Sequence, residues 1–385
     1  MKTMNNSKRL RVLIVISNLG HGGAERQVIE IANNIDQARF DLHICSLSNH
    51  VPLAGFLKHR DTQLHIVSKN SQYDISVVPR LARLLKDLKI DIVHGFLFDA
   101  EIASRLAGLI ARTKVVIGSE RNTVHSYSKV QLLAYRLTKK LVDFCIANSK
   151  TGMQYNLDTF GLAESKYRVV YNGVDTERFA PAYRSELKAA LKLPSNCFVL
   201  GMFGSFKPQK NHQYLLETIA ALAKSRSDFR VMMVGGPVEE GDAESQDYYS
   251  GIKNQIIQLG LAQHCLLLGK REDVAELYNV CDITLVPSLF EGTPNVALES
   301  LASGVPVIAT DVSDNRQVIL TEKMGYIVSL NNVEEFSKKI DYLLSHETIR
   351  DEFGREARQY VLEKFSNSSM ITALSEIYHN SIFAD

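Results

Sequence analysis

Two glutamates, Glu291 and Glu299, stand with seven residues between them in the run FEGTPNVALE (290–299). An apolar stretch, DITLVPS (282–288), precedes the run and reads as a strand. Thr293 has the side chain of a helix N-cap and Pro294 suits a first helical position. A helix is therefore expected from there to about Ser303, closed by Gly304 and Pro306. Backbone amides of Asn295, Val296 and Ala297 would then face outward at the helix start, where unpaired donors and the dipole favour a phosphate. Glu299, a little over one turn inside, could accept two hydrogen bonds from a vicinal diol such as a ribose. Glu291 would lie outside the helix, at the strand end. A capped helix carrying two surface glutamates has the same spacing, so the pattern alone leaves both readings open. Elsewhere, Gly22 and Gly23 follow the first strand, and Lys210 sits in the loop PQKNH (208–212). His94 ends one strand; Ser119-Glu120-Arg121-Asn122 ends another, with His125 just beyond. A lysine or histidine on a polar loop is more often simply solvated. No Asp-X-Asp pair occurs, which removes the usual carboxylate pair for a divalent cation, and no metal is expected.

The elements that must position these residues alternate along the whole chain. Strand-like runs fall at 11–17, 42–48, 64–68, 91–96, 114–119, 144–149 and 167–173. After a polar segment (174–196) with a short helix they restart at 198–204, 229–235, 264–269, 282–288, 305–310 and 325–329. Most gaps hold helical patterns, such as 24–34, 76–88, 99–112 and 129–142. Strands apolar on both faces belong to parallel sheets covered by helices. The expected fold is α/β, with two doubly wound Rossmann-like domains facing across a cleft. Their expected bounds are 1–180 and 181–365, with a helix over 366–385 packing back on the first. Ligands bind such sheets at the C-terminal strand ends, where the residues above lie. The segment 237–247 reads as an acidic surface loop.

The 385 residues are 45% hydrophobic and 23% charged, as in an ordinary globular protein. The net charge of +1 argues against a nucleic-acid partner. It hides an asymmetry, because 25 of the 44 basic but only 16 of the 43 acidic residues fall in 1–180. No apolar run reaches transmembrane length, and Val12–Ile16 is too short for a signal-peptide core, so a cytoplasmic location is expected. Five cysteines, odd in number and far apart, fit reduced core thiols.

The Glu291–Glu299 pair resembles the EX7E motif of retaining glycosyltransferases of the GT-B fold, and FEGTPNVALESLASGVPVIATD resembles the family 4 nucleotide-sugar transferases. Further segments match in order: Gly22-Gly23-Ala24-Glu25-Arg26, Asp91-Ile92-Val93-His94, Asn172-Gly173-Val174-Asp175, Pro208-Gln209-Lys210-Asn211-His212, and Gly269-Lys270-Arg271 with Asp282. The resemblance covers about residues 10–370. It implies a C-terminal domain that binds the donor. Lys210 would meet the pyrophosphate, helped by amides of the Gly292–Ala297 turn, with Thr293 and Pro294 shaping it. Glu299 would bind the ribose, and Glu291 would face the transferred sugar. Gly22 and Gly23 would let the N-terminal domain approach the phosphate. Many relatives carry an arginine where this chain has Ser205, so Lys207 or Arg271 would have to supply that charge. Some relatives also have a strand-end histidine near the sugar. Glu120, Arg121 and His125 are alternatives for that place, with His94, Arg121 and Asn122 as acceptor-side candidates.

The activity implied is transfer from a nucleotide-diphosphate sugar, a UDP-sugar by preference, with retention and without metal, to a glycan or lipid-linked acceptor. A sugar-nucleotide epimerase and a non-catalytic sugar-nucleotide-binding module are the alternatives. The segment SKVQLLAYRLTKKL (128–141) has Lys129, Arg136, Lys139 and Lys140 beside Leu132, Leu133, Tyr135, Leu137 and Leu141. Such a helix could rest on an anionic inner membrane face or pack as an ordinary helix on its sheet.

Overall fold

A computed structural model describes residues 9–20, 22–59, 61–71, 74–121, 127–182, 185–237 and 243–383. The chain forms two compact units, Met1–Gly173 with Asn367–Asp385, and Val174–Ser366.

The first unit holds a seven-stranded parallel sheet. Its strands are β1 (Leu10–Ile16), β2 (Phe40–Ser46), β3 (Gln63–Ile66), β4 (Ile92–Phe96), β5 (Val115–Glu120), β6 (Phe144–Ala147) and β7 (Tyr167–Val169), in the order β3-β2-β1-β4-β5-β6-β7. The second unit repeats that plan with six strands. These are β8 (Phe198–Phe203), β9 (Phe229–Val234), β10 (Cys265–Gly269), β11 (Ile283–Val286), β12 (Val307–Thr310) and β13 (Gly325–Val328), in the order β10-β9-β8-β11-β12-β13. Both orders reverse direction beside the first strand of their unit, the arrangement of doubly wound nucleotide-binding sheets. Every one of the thirteen strand-like runs became a strand. Central strands such as β1 and β8 are buried on both faces, which is why they read as unbroken apolar runs and not as alternating ones.

The C-terminal segment is three helices, Val333–Ser345, Glu347–Lys364 and Asn367–Phe383. The last of these belongs to the first unit. Met370, Ile371, Leu374 and Tyr378 join Val28, Ile31 and Ala32 in its core. The acidic stretch expected as a loop is different: residues 243–247 open the helix Ala243–Gln258, and 238–242 lie outside the described residues.

Candidate functional site

The chain leaves β8 through Gly204, whose φ of +139° only glycine holds without strain. Gly235, at the end of β9 with φ +146°, packs directly beneath it. A Cβ on Gly235 would stand 1.9 Å from the Gly204 carbonyl oxygen. The Gly204 amide donates to Val234 O and the Phe206 amide to Gly236 O, both at 2.9 Å, so the two strand ends stay paired past the sheet. The short 3-10 turn Pro208–Lys210 then returns the Lys210 stem across Gly204, where an added Cβ would lie 3.2 Å from Lys210 Cε.

Lys210 meets the loop that follows β11. Its Nζ donates to Glu291 Oε1 at 2.6 Å, and the Ser288 hydroxyl donates to the same oxygen at 2.7 Å. The two charged side chains are 15% and 9% exposed, so the pair is largely withdrawn from water yet open on one side. Neighbouring loops fix the Glu291 backbone. Its amide donates to Ser313 Oγ at 2.9 Å, the Leu289 amide donates to Gln209 O at 2.8 Å, and Thr310 Oγ1 donates to Ser288 O at 2.6 Å. Lys207 is half-buried at the same place. Burial first, then the Lys210 charge, pulls its pKa down, while Glu291 pulls it back up.

The helix beyond the motif runs Asn295–Ala302. Thr293 is not its cap. Pro294 takes the N-cap position, with ψ at 83° and no side-chain cap, so the helix starts one residue later than expected. The Ala297 amide donates to Pro294 O at 2.9 Å, which removes it from the proposed phosphate donors. The amides of Asn295 and Val296 precede that ladder, next to Gly292. Glu299 lies one turn on, where Tyr278 OH donates to its Oε2 at 2.9 Å. The Tyr278 ring stacks on Phe203 at 3.9 Å and is fully buried. Among the described residues, no contact joins Arg271 to the cluster. It donates two hydrogen bonds to Asp273, at 2.8 and 2.5 Å, on its own loop. Ser205 lies in the Gly204–Lys207 loop and brings no charge.

In the first unit the expected residues separate. Gly22 is the N-cap of the helix Gly23–Asn34, in extended backbone that any residue adopts. Its flank is filled by Glu25, whose Oε2 would sit 2.0 Å from a Cβ there. Burial raises the Glu25 pKa. Glu120 is inside the domain, and this takes it out of the sugar-facing role proposed for it. Its Oε1 accepts from Tyr135 OH at 2.7 Å and Tyr167 OH at 3.1 Å. Burial, then the nearby Glu101, pushes its pKa up to about 8. Glu101, Glu120 and Cys145 lie close enough to hold a cation. That place is already served by Arg105, fully buried and bonded to Glu101. The Cys145 thiol is pushed well up by burial, so the donor set is poor for a metal.

His94 is fully buried, with Nδ1 2.8 Å from Tyr378 OH, and burial holds the ring neutral. Arg121 reaches across to Asn172, and burial lowers its guanidinium to about 10. His125 and Asn122 lie outside the described residues. The basic helix runs Lys129–Thr138, started by a Ser128–Gln131 capping box. Tyr135 belongs to the core, stacked on Phe160 at 3.7 Å, and Lys139 donates to the carbonyls of Phe160 and Gly161 at 3.2 Å. Neither is part of an outward face. Val130, Leu133 and Leu137 are, at 61%, 57% and 72% exposure.

Sequence reasoning missed Tyr278, Ser288 and Ser313. Each acts through a hydroxyl whose partner comes from another loop or a later turn, so no local spacing announces it.

Two Rossmann-like parallel-sheet units, with a lysine and two glutamates at the strand ends of the second, define a glycosyltransferase of the GT-B fold. Glycosyltransferase Family 4 matches residues 21–178, and Glycosyl transferases group 1 matches residues 184–360. The chain belongs to the family 4 glycosyltransferases. It is 27% identical over 377 residues (92% of this chain, 93% of the relative) to the UDP-Gal:alpha-D-GlcNAc-diphosphoundecaprenol alpha-1,3-galactosyltransferase of Escherichia coli. It is 25% identical over 362 residues (90% and 93%) to the N-acetylgalactosamine-N,N'-diacetylbacillosaminyl-diphospho-undecaprenol 4-alpha-N-acetylgalactosaminyltransferase of Campylobacter jejuni. Its fold is that of Anabaena HepE, solved in complex with UDP: TM-score 0.86 at 20% identity, covering 96% of this chain and 100% of HepE.

Proposed function

We propose that the protein moves a sugar from a UDP-sugar to a lipid-linked glycan in polysaccharide or glycolipid synthesis, with retention of configuration and without a metal. The observation that carries this reading is the Lys210–Glu291 pair beside Lys207, at the start of a helix that bears Glu299. In the reaction, the bond between the anomeric carbon and the donor phosphate oxygen breaks, and UDP leaves with the electron pair. Lys210 exchanges Glu291 for the diphosphate and stabilises the charge that grows there, with Lys207 as a second cation. Glu291, still held by Ser288, then faces the sugar hydroxyls. Glu299, oriented by Tyr278, takes the ribose diol. The acceptor oxygen bonds to the anomeric carbon on the face that UDP leaves, and its proton passes to the departing phosphate oxygen.

The acceptor class follows the relatives, two of which act on diphosphoundecaprenol-linked sugars. Among the described residues no helix is long and apolar enough to cross a membrane. The exposed stripe Val130, Leu133 and Leu137, next to Lys129, Arg136 and Lys140, suits peripheral contact with an anionic leaflet. The test is a thermal-shift series with UDP, GDP and their sugars, with and without EDTA, followed by the anomeric configuration of the product. A UDP-selective shift unchanged by EDTA, and a retained anomer, are expected. An inverted product sinks retention, and a shift that needs divalent metal sinks metal independence.

A further inference from the structure

Among the described residues, Arg121 is a cation without a counter-ion. Its Nε donates to Ser119 Oγ at 2.8 Å and its Nη1 to Asn172 Oδ1 at 2.9 Å, and the group lies 4.5 Å from the centroid of the Phe96 ring. All three neighbours are neutral. Among the described residues Nη2 has no hydrogen-bond partner, and no carboxylate forms an ion pair with the group. Two other arginines are treated differently. Arg105 pairs with Glu101, and Arg358 donates to the carbonyls of Thr176, Phe179 and Ala302. A guanidinium drawn out of water with neither compensation is costly unless a ligand supplies it. Next to it, His94 Nε2 is buried and has no partner, while Nδ1 is taken by Tyr378. Arg121 directly follows β5, at the C-terminal edge where open sheets bind ligands, and His94 lies within the adjacent parallel strand β4.

We infer that Arg121, held by Ser119, Asn172 and Phe96, forms a phosphate-binding subsite on the first unit that takes the diphosphate of the acceptor. The inference rests on the lipid-linked acceptor proposed above. The donor diphosphate already has Lys210 and Lys207 on the second unit. The planar guanidinium fork, fixed on two sides, presents its remaining N–H groups to a phosphate as a bidentate pair.

The test is calorimetric titration with decyl diphosphate, with decyl maltoside as the uncharged control and UDP as the control for the donor site. Wild type should bind decyl diphosphate and not the maltoside. R121Q should weaken that binding about 10- to 100-fold, as for a lost charged hydrogen-bond pair, and leave UDP binding within about twofold. N172D is the second variant, since it sets a carboxylate beside Arg121. It should keep or raise the melting temperature and still lose decyl diphosphate. The subsite is overturned if wild type does not bind decyl diphosphate, if R121Q and N172D bind it as wild type does, or if R121Q weakens UDP equally. Transfer to neutral alkyl glycosides as efficient as to alkyl-diphosphate sugars overturns the subsite and leaves the transferase reading standing. Absence of transfer from any UDP-sugar to any acceptor strikes the transferase reading instead, and the binding titration still decides the subsite.

Discussion

Replacing Lys210 with methionine tests the site in two ways at once. At 2.6 Å, and with an effective dielectric constant near 20, the attraction between Lys210 and Glu291 is about 6 kcal/mol before desolvation. Desolvation of both groups offsets most of it, so the pair itself adds little to stability. Removing one partner is another matter, because it strands the other charge away from water, at a typical cost of about 3–5 kcal/mol. Glu291 keeps the Ser288 hydroxyl on the same oxygen, so the lower end applies, about 3 kcal/mol. For a unit of this size that is a fall in melting temperature of about 6–12 °C. K210M/E291Q should recover about 2 kcal/mol relative to the sum of the single changes, because a neutral glutamine has no charge to strand. In turnover, K210M should lower kcat by about 100- to 1,000-fold, as for the loss of a group that meets charge developing in the transition state. Thermal melts of the four proteins of the cycle and steady-state kinetics with a UDP-sugar decide it. A K210M protein as stable as wild type, or single and double changes that simply add, would refute the buried-pair argument. A raised KM with unchanged kcat would refute the role at the leaving group.

Four further outcomes are expected. Glu120 titrates near pH 8 in the folded protein and in the ordinary carboxylate range when unfolded, so the native state holds the extra proton between those limits. Its contribution to stability therefore falls as pH rises from about 5 to 8. Glu101, Arg105, Tyr135, Tyr167 and Cys145 surround it, and E120Q in urea melts at several pH values should lose this part of the slope; an unchanged slope counts against it. Gly235→Ala should cost at least about 2 kcal/mol in chemical denaturation and weaken UDP binding, since a Cβ strikes the Gly204 carbonyl at a φ of +146°. Donor affinity should decline as pH rises through the lowered pKa of Lys207, because the diphosphate binds the charged lysine; K207Q should bind more weakly and flatten the profile, and a wild-type profile without that decline excludes the second cation. K129Q/R136Q/K140Q should reduce partitioning onto phosphatidylserine-containing vesicles by about 3 kcal/mol at low salt, and binding indifferent to lipid charge would remove the leaflet from the account.

The strands were legible because each is a short apolar run, and the site loops because Lys210, Glu291 and Glu299 carry the charges of the motif. What stayed hidden depended on distant partners. Glu120, at a strand end, reads as an exposed carboxylate; only Tyr135 and Tyr167, 15 and 47 residues away, bring it inside. Thr293 has the chemistry of a cap, but the non-helical ψ of Pro294 postpones the helix by a residue. Lys139 looked like one more basic residue on an outward face, yet it closes the end of the helix Lys150–Phe160. Arg271 looked available for a phosphate, and Asp273, two residues away, already holds it.

The two units contain clusters of the same kinds of group, and exposure separates their roles. In the first, Glu101 pairs with Arg105, two tyrosine hydroxyls donate to Glu120, and Arg105 has no exposed surface. An anion entering there would have to displace a sealed network, so the cluster fixes the packing of the helix Lys129–Thr138 through Tyr135. In the second, Lys210 and Glu291 are also ion-paired and hydroxyl-bonded, but 15% and 9% of their side chains remain open. In the proposed transfer, Lys210 trades Glu291 for the diphosphate without unfolding its surroundings. Each partner of the exchange is prepared: Ser288 keeps Glu291 in place when the lysine leaves, and Gly204 leaves the lysine stem room to move. An ion pair marks a site when its cation can be released at modest cost, and on the proposed reading that condition holds at Lys210 and fails at Arg105.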